Sequence, residues 1–398
     1  MTTMTDLPSP VRARWLAVAS VALGTFTIVT SEMLPVGLLT SIAADLGVSA
    51  GTAGLTMSAP GLVAAVSAPV LAVTARRLDR RVLLLGLMAV LAVANLAAAL
   101  APSHPVMLAA RVLTGVSIGG FWAFAAGLGV RLVPERSVGR ATSIILAGVS
   151  VASVLGVPAA TFVSSFAGWR SAFAAMGAVA LALLVLLAAT LPSLPGAEPP
   201  SEDRPSPGAR RGQGGRFTWL SGPLRVVLVL TALIVSGHFA AYTYVRPFLE
   251  QVSHAGPALV GTALLLYGAA GVAGNFAAGA WAARNPRLVL VVLASLMAVS
   301  TAALPLIGQP LVALVVWGLG YGGVGVTLQL WIMRSGGGEL GTALFVGAFN
   351  VSIALGAFAG GRIVDGVSIP AVMWAGTGLA VVSVAVAGIW GRSRTNGS

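Results

Sequence analysis

The sequence predicts an all-α integral membrane protein: twelve transmembrane helices in two pseudo-symmetric six-helix bundles. Three observations carry this. Twelve apolar stretches, each long enough to cross a bilayer, are split six and six by one long polar segment. A hydrocarbon core of ~30 Å takes ~20 helical residues to cross, and backbone groups cannot go unpaired there, so such runs must be helices. The 398 residues are 57% hydrophobic and 9% charged, whereas a soluble domain carries about 25% charged residues; a soluble enzyme is excluded. The basic residues, finally, are placed at alternate ends of the stretches.

The elements follow in order. The first span, 15–38, is preceded by Arg12 and Arg14 and is read as a retained helix rather than a signal peptide. The second, 50–74, runs into Arg76, Arg77, Arg80 and Arg81, and the third, 82–101, returns. The fourth, 105–131, runs into Arg131, Arg136 and Arg140; the fifth and sixth are 142–163 and 170–191. The segment 192–222 carries Pro192, Pro195, Pro199, Pro200, Pro205 and Pro207 with glycine and charge, the composition of a flexible linker. Arg204, Arg210, Arg211, Arg216 and Arg225 surround it. The seventh and eighth spans, 223–249 and 258–281, lead to Arg284 and Arg287. The ninth and tenth, 287–307 and 310–333, lead to Arg334, and the eleventh and twelfth, 341–363 and 371–390, to Arg392 and Arg394. With both termini cytoplasmic, all nineteen of these arginines lie on the cytoplasmic side, and Arg170, Arg246 and Arg362 near the other. This is the positive-inside pattern. The net charge of +12 therefore reports topology and not a nucleic-acid partner. With no cysteine, the chain has no disulfide, thiolate metal site or cysteine nucleophile. Its 50 glycines suit close helix packing.

The two halves resemble each other. A shift of 203 places Gly115, Gly119 and Gly120 on Gly318, Gly322 and Gly323; a shift of 200 places Val151, Leu155, Gly156 and Ala159 on Val351, Leu355, Gly356 and Ala359. A shift of 213 places Gly24, Phe26 and Thr30 on Gly237, Phe239 and Thr243. Each pairs span n with span n+6, which implies a duplicated unit: an N-terminal bundle 1–191, a cytoplasmic linker 192–222 and a C-terminal bundle 223–398. Duplicated halves around a midplane site are the architecture of alternating-access carriers.

Glu32 is the one carboxylate well inside a span. It comes 17 residues after Trp15, about 25 Å along a helix. Arg111 lies six residues after Pro105, about 9 Å from the other end of its span, so the two share a depth. An ionisable group there costs at least ~2.5 kcal/mol and faces a cavity or a partner. Glu32 is either hydrated near the outer surface or a proton carrier: burial favours the neutral carboxyl and a nearby Arg the charged one, so a conformational change can load and release a proton. Arg111 keeps its charge. It either locks onto backbone carbonyls, tunes Glu32 or binds an anionic group. At the repeat shifts Leu314 stands for Arg111 and Val245 for Glu32, so the charges belong to one half while the packing glycines belong to both.

Several motifs recur in a fixed order. They are Ser31-Glu32-Met33-Leu34-Pro35-Val36-Gly37-Leu38-Leu39, Arg111-x-x-x-Gly115-x-x-x-Gly119, Gly156-Val157-Pro158, Phe239-x-x-Tyr242-Thr243-Tyr244-x-x-Pro247 and Asn350-x-x-x-x-x-Gly356-x-x-x-Gly360-Gly361. In these the chain resembles the major facilitator superfamily, and within it the twelve-helix drug:proton antiporters, including arabinose- and nucleoside-efflux and chloramphenicol-resistance type exporters. The resemblance implies proton coupling through Glu32 and Arg111. It implies a fifth-helix antiporter motif at Gly148, Gly156 and Pro158, where the family's adjacent Gly-Pro is here Gly156-Val157-Pro158. It also implies a cytoplasmic gate at Ala72 to Arg81, where Ala72 and Arg76 replace the family's first glycine and aspartate. Asp79, Arg80 and Arg81 are the gate candidates, with a plain topogenic cluster as the alternative. Gly115, Gly119, Pro247, Gly356 and Gly360 are structural candidates.

Polar and aromatic residues in apolar helices mark the candidate substrate lining: Phe26, Trp122, Phe239, Tyr242, Tyr244, Tyr267, Asn275, Gln329, Trp331 and Asn350. Their alternative is a place at the lipid interface or in helix packing. His104 and His254 fall in outer loops, His238 reads as a neutral packed histidine, and Arg246 as a snorkelling side chain. No spacing suggests a metal, and Gly318-x-Gly320-x-Gly322-Gly323 lacks the context of a nucleotide loop. The expectation is thus a non-enzymatic, cofactor-free, monomeric exporter in the bacterial cytoplasmic membrane. It would move a small amphipathic molecule, such as an antibiotic or another drug, against protons. The alternatives are a sugar or nucleoside metabolite, uptake by symport, or a sensor with the same fold.

Overall fold

The computed structural model describes residues 10–75, 77–125, 128–195, 222–307, 310–335 and 338–390. Arg76, Arg392, Arg394 and residues 196–221 of the linker lie outside the described residues. Among the described residues, 11 helical stretches are long and apolar enough to cross a membrane. One of them, Glu135–Thr190, is 56 residues long and holds two crossings, the fifth and the sixth. They are joined at Gly168, whose φ of 78° and ψ of 164° belong to a region open essentially to glycine alone. The expected twelve spans are therefore present.

Proline shapes several of them. The first span, Pro10–Asp45, continues through Pro35 and past residue 38, because Leu38, Leu39 and Ile42 are buried in its last turns. The second, Ala50–Thr74, continues through Pro60 and Pro69 and is N-capped by the Ser49 side chain. In the fifth, a π turn at Ala152–Gly156 precedes Pro158, which offers no N–H to the carbonyl of Val154. The seventh breaks into Gly222–Tyr242 and Val245–Gln251 just before Pro247. The tenth is Pro310–Gly322 followed by Val324–Arg334.

The repeated glycines do the same packing in both halves. A side chain at Gly115 or Gly119 of the fourth span would collide with Pro60 or Ala64 of the second. At Gly318 or Gly322 of the tenth it would collide with Tyr267 or Gly271 of the eighth. Gly148 and Gly156 lie against the first span, and Gly356 and Gly360 against the seventh. These small residues let the backbones of each bundle approach closely.

The halves meet where the second span (Ala50–Thr74) packs on the eleventh (Gly338–Gly366) and the eighth (Pro257–Ala282) on the fifth. The contact is one-sided. Nine residues between Gly51 and Ala64 are buried, while none from Ala65 to Thr74 is. The seam is closed at the end carrying the Asp45–Ser49 turn, and the cleft opens toward the Arg-rich end. At the closed end the Asp365 carboxylate accepts hydrogen bonds from the Ser49 hydroxyl (2.6 Å) and the Gly51 amide (2.9 Å), capping the second helix from the opposite half. Arg246 donates to the Gly37 carbonyl beside its ion pair with Glu250.

Candidate functional site: a buried carboxylate facing an aromatic cluster

Arg111 on the fourth span (His104–Ala125) is 0% exposed. Its guanidinium makes three backbone contacts: Nε to the Thr56 carbonyl (2.9 Å), and its terminal nitrogens to the carbonyls of Ser31 and Glu32 (2.8 Å each). The choice of acceptors has a covalent reason. In a helix the carbonyl of residue i receives the amide of residue i+4. Four residues after Ser31 stands Pro35, and four after Thr56 stands Pro60, neither of which has an N–H. One arginine thus pairs two carbonyls that two prolines leave without a donor, and ties the proline turns of the first and second spans together. Of the readings open at the level of sequence, the lock onto backbone carbonyls is the one the geometry displays. Asn95 of the third span (Arg80–Ala99) joins the cluster, donating to the Ser31 hydroxyl at 3.1 Å.

This arrangement leaves Glu32 in an unusual state. It is 6% exposed, and no described residue hydrogen-bonds to or ion-pairs with its carboxylate. Arg111 and the Tyr321 phenol are near enough to act on it electrostatically. Tyr321 belongs to the other half, so Glu32 sits where the two bundles face each other.

On that facing side, the seventh, eighth and tenth spans build an aromatic cluster around His238. The imidazole stacks on Tyr321 (centroids 3.3 Å apart, planes 4°) and on Tyr242 (5.0 Å, 20°). Tyr242 stacks in turn on Tyr267 at 4.7 Å, and the Tyr267 hydroxyl lies 3.4 Å from His238 Nε2. Trp317 meets His238, Tyr242 and Tyr267 edge-on. Phe239 is edge-on to Tyr321 at 6.1 Å.

The expected lining residues therefore separate. Phe239, Tyr242 and Tyr267 converge on this cluster. Tyr244 does not: it is fully buried in the closed seam, donating to the Ala357 carbonyl at 2.9 Å, with Gly54 and Gly361 against its hydroxyl. Phe26 and Trp122 are half-buried in the N-terminal half, the latter edge-on to Phe121. Gln329 donates to Thr342 toward the Arg-rich end, near the half-buried Trp331. The Asn350 amide donates to Val346 on its own helix (2.9 Å), and Asn275 is half-buried on the eighth. Tyr321 and Trp317 were not singled out from sequence. The signal was present as two i, i+4 aromatic pairs, His238–Tyr242 and Trp317–Tyr321, each on one helix face.

The described contacts of the gate candidates are to the N-terminal half and the first residues of the linker. Asp79 N-caps the third span through the Arg81 amide and accepts from the Ser193 hydroxyl and the Leu194 amide. These bonds, led by that of Ser193, hold its carboxyl below the usual carboxylate range. Arg80 lies over the Phe124 ring and Arg81 reaches the Ala188 carbonyl. The first residues of the linker are thereby docked on the loop between the second and third spans.

Comparison with known proteins agrees with this architecture. The family model described as Major Facilitator Superfamily matches residues 21–345. The chain is 34% identical to the transcription regulatory protein OpdE of Pseudomonas aeruginosa over 96% of its own length and 94% of that protein. It is 31% identical to the purine ribonucleoside efflux pump NepI of Escherichia coli K12, over 90% and 89% of the two chains. Its backbone is similar to that of a crystal structure of the nucleoside transporter NupG, with a TM-score of 0.72 at 12% identity, covering 96% of this chain and 100% of that one.

Proposed function

The chain belongs to the Major Facilitator Superfamily, and from that premise we propose that it is a proton-coupled antiporter exporting a small amphipathic molecule by alternating access. The observation that carries this reading is Glu32. Glu32 is buried and its carboxylate has no hydrogen-bond or ion-pair partner among the described residues, while the three hydrogen bonds of Arg111 go to backbone carbonyls. A carboxyl in that state can exchange its proton as its surroundings change, which a carboxylate locked in an ion pair cannot do easily.

In this reading the Arg-rich end is cytoplasmic, both termini are inside and the membrane is the bacterial inner membrane. The cleft then faces the cytoplasm. Substrate enters from that side onto the aromatic cluster, and Glu32 releases its proton there. The halves rock about the seam, opening the other end. Protonation of Glu32 from outside favours return to the inward-facing form. Each charge moved down a 100 mV potential supplies about 2.3 kcal/mol.

A second reading, export of a nucleoside, is favoured by the stacked rings, which suit a flat base, and by the similarity to the purine ribonucleoside efflux pump NepI. OpdE, named a regulatory protein, keeps the sensor alternative as an outcome of the test. That test is proton movement in sealed proteoliposomes with a substrate panel, in wild type and Glu32→Gln. Substrate-dependent proton flux opposite to substrate movement, lost in the variant, is the expected result. Transport with no proton flux, or an unaffected variant, removes Glu32 from the coupling path; no transport of any kind favours the sensor.

A further inference from the structure

Two nitrogens in the aromatic cluster have no hydrogen-bond partner among the described residues. His238 is 2% exposed and Trp317 is 0% exposed, yet His238 Nδ1 and Trp317 Nε1 are both buried without a hydrogen bond. Leaving a buried polar group unpaired costs about 1–3 kcal/mol, and native structures avoid it unless the group has a use. Two such groups stand on rings whose centroids are 5.4 Å apart, in a cluster that apolar side chains would fill without penalty. The chemistry of the pair is defined. Indole N–H only donates. The Tyr267 hydroxyl lies 3.4 Å from His238 Nε2, and either group can donate; in the tautomer in which the tyrosine donates, the imidazole proton sits on Nδ1 and His238 also presents a donor. In that tautomer the cluster offers two donors to one neighbourhood.

Tyr321 adds a third feature. It is the half-buried member of the cluster, stacked nearly parallel on His238 at 3.3 Å. A flat ligand coming from the cleft meets this plate first, and the face it can occupy on His238 is the one Tyr321 covers.

We propose that His238, Trp317 and Tyr321 form the specificity pocket of the transporter, for a substrate carrying a flat heteroaromatic ring with hydrogen-bond acceptors on its edge. The ring displaces Tyr321 from the face of His238, and the His238 and Trp317 N–H groups read the acceptors. The inference rests on the exporter reading above only in placing the substrate in this cleft; the pocket itself is tested by binding.

The experiment uses the full-length protein in nanodiscs and three probes: purine riboside, a phenyl riboside, whose flat ring has no acceptors, and ribose. Titration calorimetry is expected to rank them in that order. His238→Phe and Trp317→Phe keep a ring and remove one N–H; each should weaken purine riboside about 3- to 10-fold and leave the phenyl riboside within about twofold. Tyr321→Ala removes the plate and should tighten purine riboside about 2- to 10-fold. Thermal unfolding of each variant confirms that it is folded, and His238→Phe, the smaller change, serves if Trp317→Phe is not. The proposal is overturned if the two ring variants weaken both ribosides equally or not at all, if Tyr321→Ala weakens binding, or if wild type binds neither riboside. Proton exchange for an unrelated compound in proteoliposomes would then leave the exporter reading standing. Purine riboside bound as expected, but with no proton movement for any compound, would leave the pocket and remove the exporter.

Discussion

Replacing Arg111 with Met tests the lock between the two proline turns. Three charge-assisted bonds of 2.8–2.9 Å are lost. The Glu32 carbonyl keeps its regular helical donor, the Val36 amide, but the Ser31 and Thr56 carbonyls have none, because Pro35 and Pro60 stand at i+4. At about 1–3 kcal/mol for each unpaired buried group, these two alone cost about 2–6 kcal/mol. Relief of the buried guanidinium's desolvation offsets part of this, so a net loss of about 2–4 kcal/mol is expected. The decisive step is a rescue. In the Arg111→Met background, Pro35→Ala with Pro60→Ala restores an amide donor to both carbonyls, and at least half of the lost stability should return. The same two changes in wild type should give no gain, since the carbonyls are already paired. Unfolding in denaturant, read by circular dichroism in detergent, supplies the four corners of the cycle. Equal effects of the proline changes in both backgrounds would refute the argument, as would an Arg111→Met protein as stable as wild type. Transport is a separate readout: a rescued but inactive protein would assign Arg111 a role toward Glu32 beyond holding the backbone.

Three further outcomes are expected. Asp365→Asn weakens the cap that crosses the seam at Ser49 and Gly51; a loss of about 1–2 kcal/mol moves the inward- to outward-facing ratio roughly 5- to 30-fold, measurable as a longer spin-label distance between Ala44→Cys and Val367→Cys in this cysteine-free chain. Gly54→Val places methyl groups where the Tyr244 hydroxyl lies and should stop the seam from closing, so the same labels should stay apart and transport cease; unchanged distances would show that the seam adapts. For Asp79, the folded carboxyl lies below the usual range, so its unfolded pKa is the higher one. Its contribution is complete above that value and disappears as the pH falls through the folded one; the protection of the Leu194 amide from hydrogen exchange, taken relative to its intrinsic rate at each pH, should fall on acidification in wild type and be low at all pH values in Asp79→Ala.

Much of the fold was legible in the chain because lipid simplifies the code. Span number, sidedness of arginine and the duplicated glycines follow from hydropathy, charge and spacing, and the structure places Gly115 and Gly318 in equivalent helix crossings. Single residues were harder to read. Glu32 and Arg111 were correctly read as sharing a depth, but what Arg111 grips depends on which carbonyls other helices bring to it. Tyr244 and Tyr242 look equivalent in the sequence; a break before Pro247 sends one into the seam and the other into the cluster. Tyr321 and Trp317 were missed although they form an i, i+4 aromatic pair, because such a pair marks a helix face without saying what that face meets.

The sequence by itself determined that this protein is a bilayer-spanning pair of six-helix bundles with one carboxylate and one arginine at matched depth, since backbone pairing in hydrocarbon permits few alternatives. Only the tertiary structure decided that Arg111 repairs two proline breaks, that Glu32 is left unpaired among the described residues, and that the seam is shut at one end. Those outcomes hang on contacts between residues up to 316 positions apart, and such contacts exist only once the helices have packed.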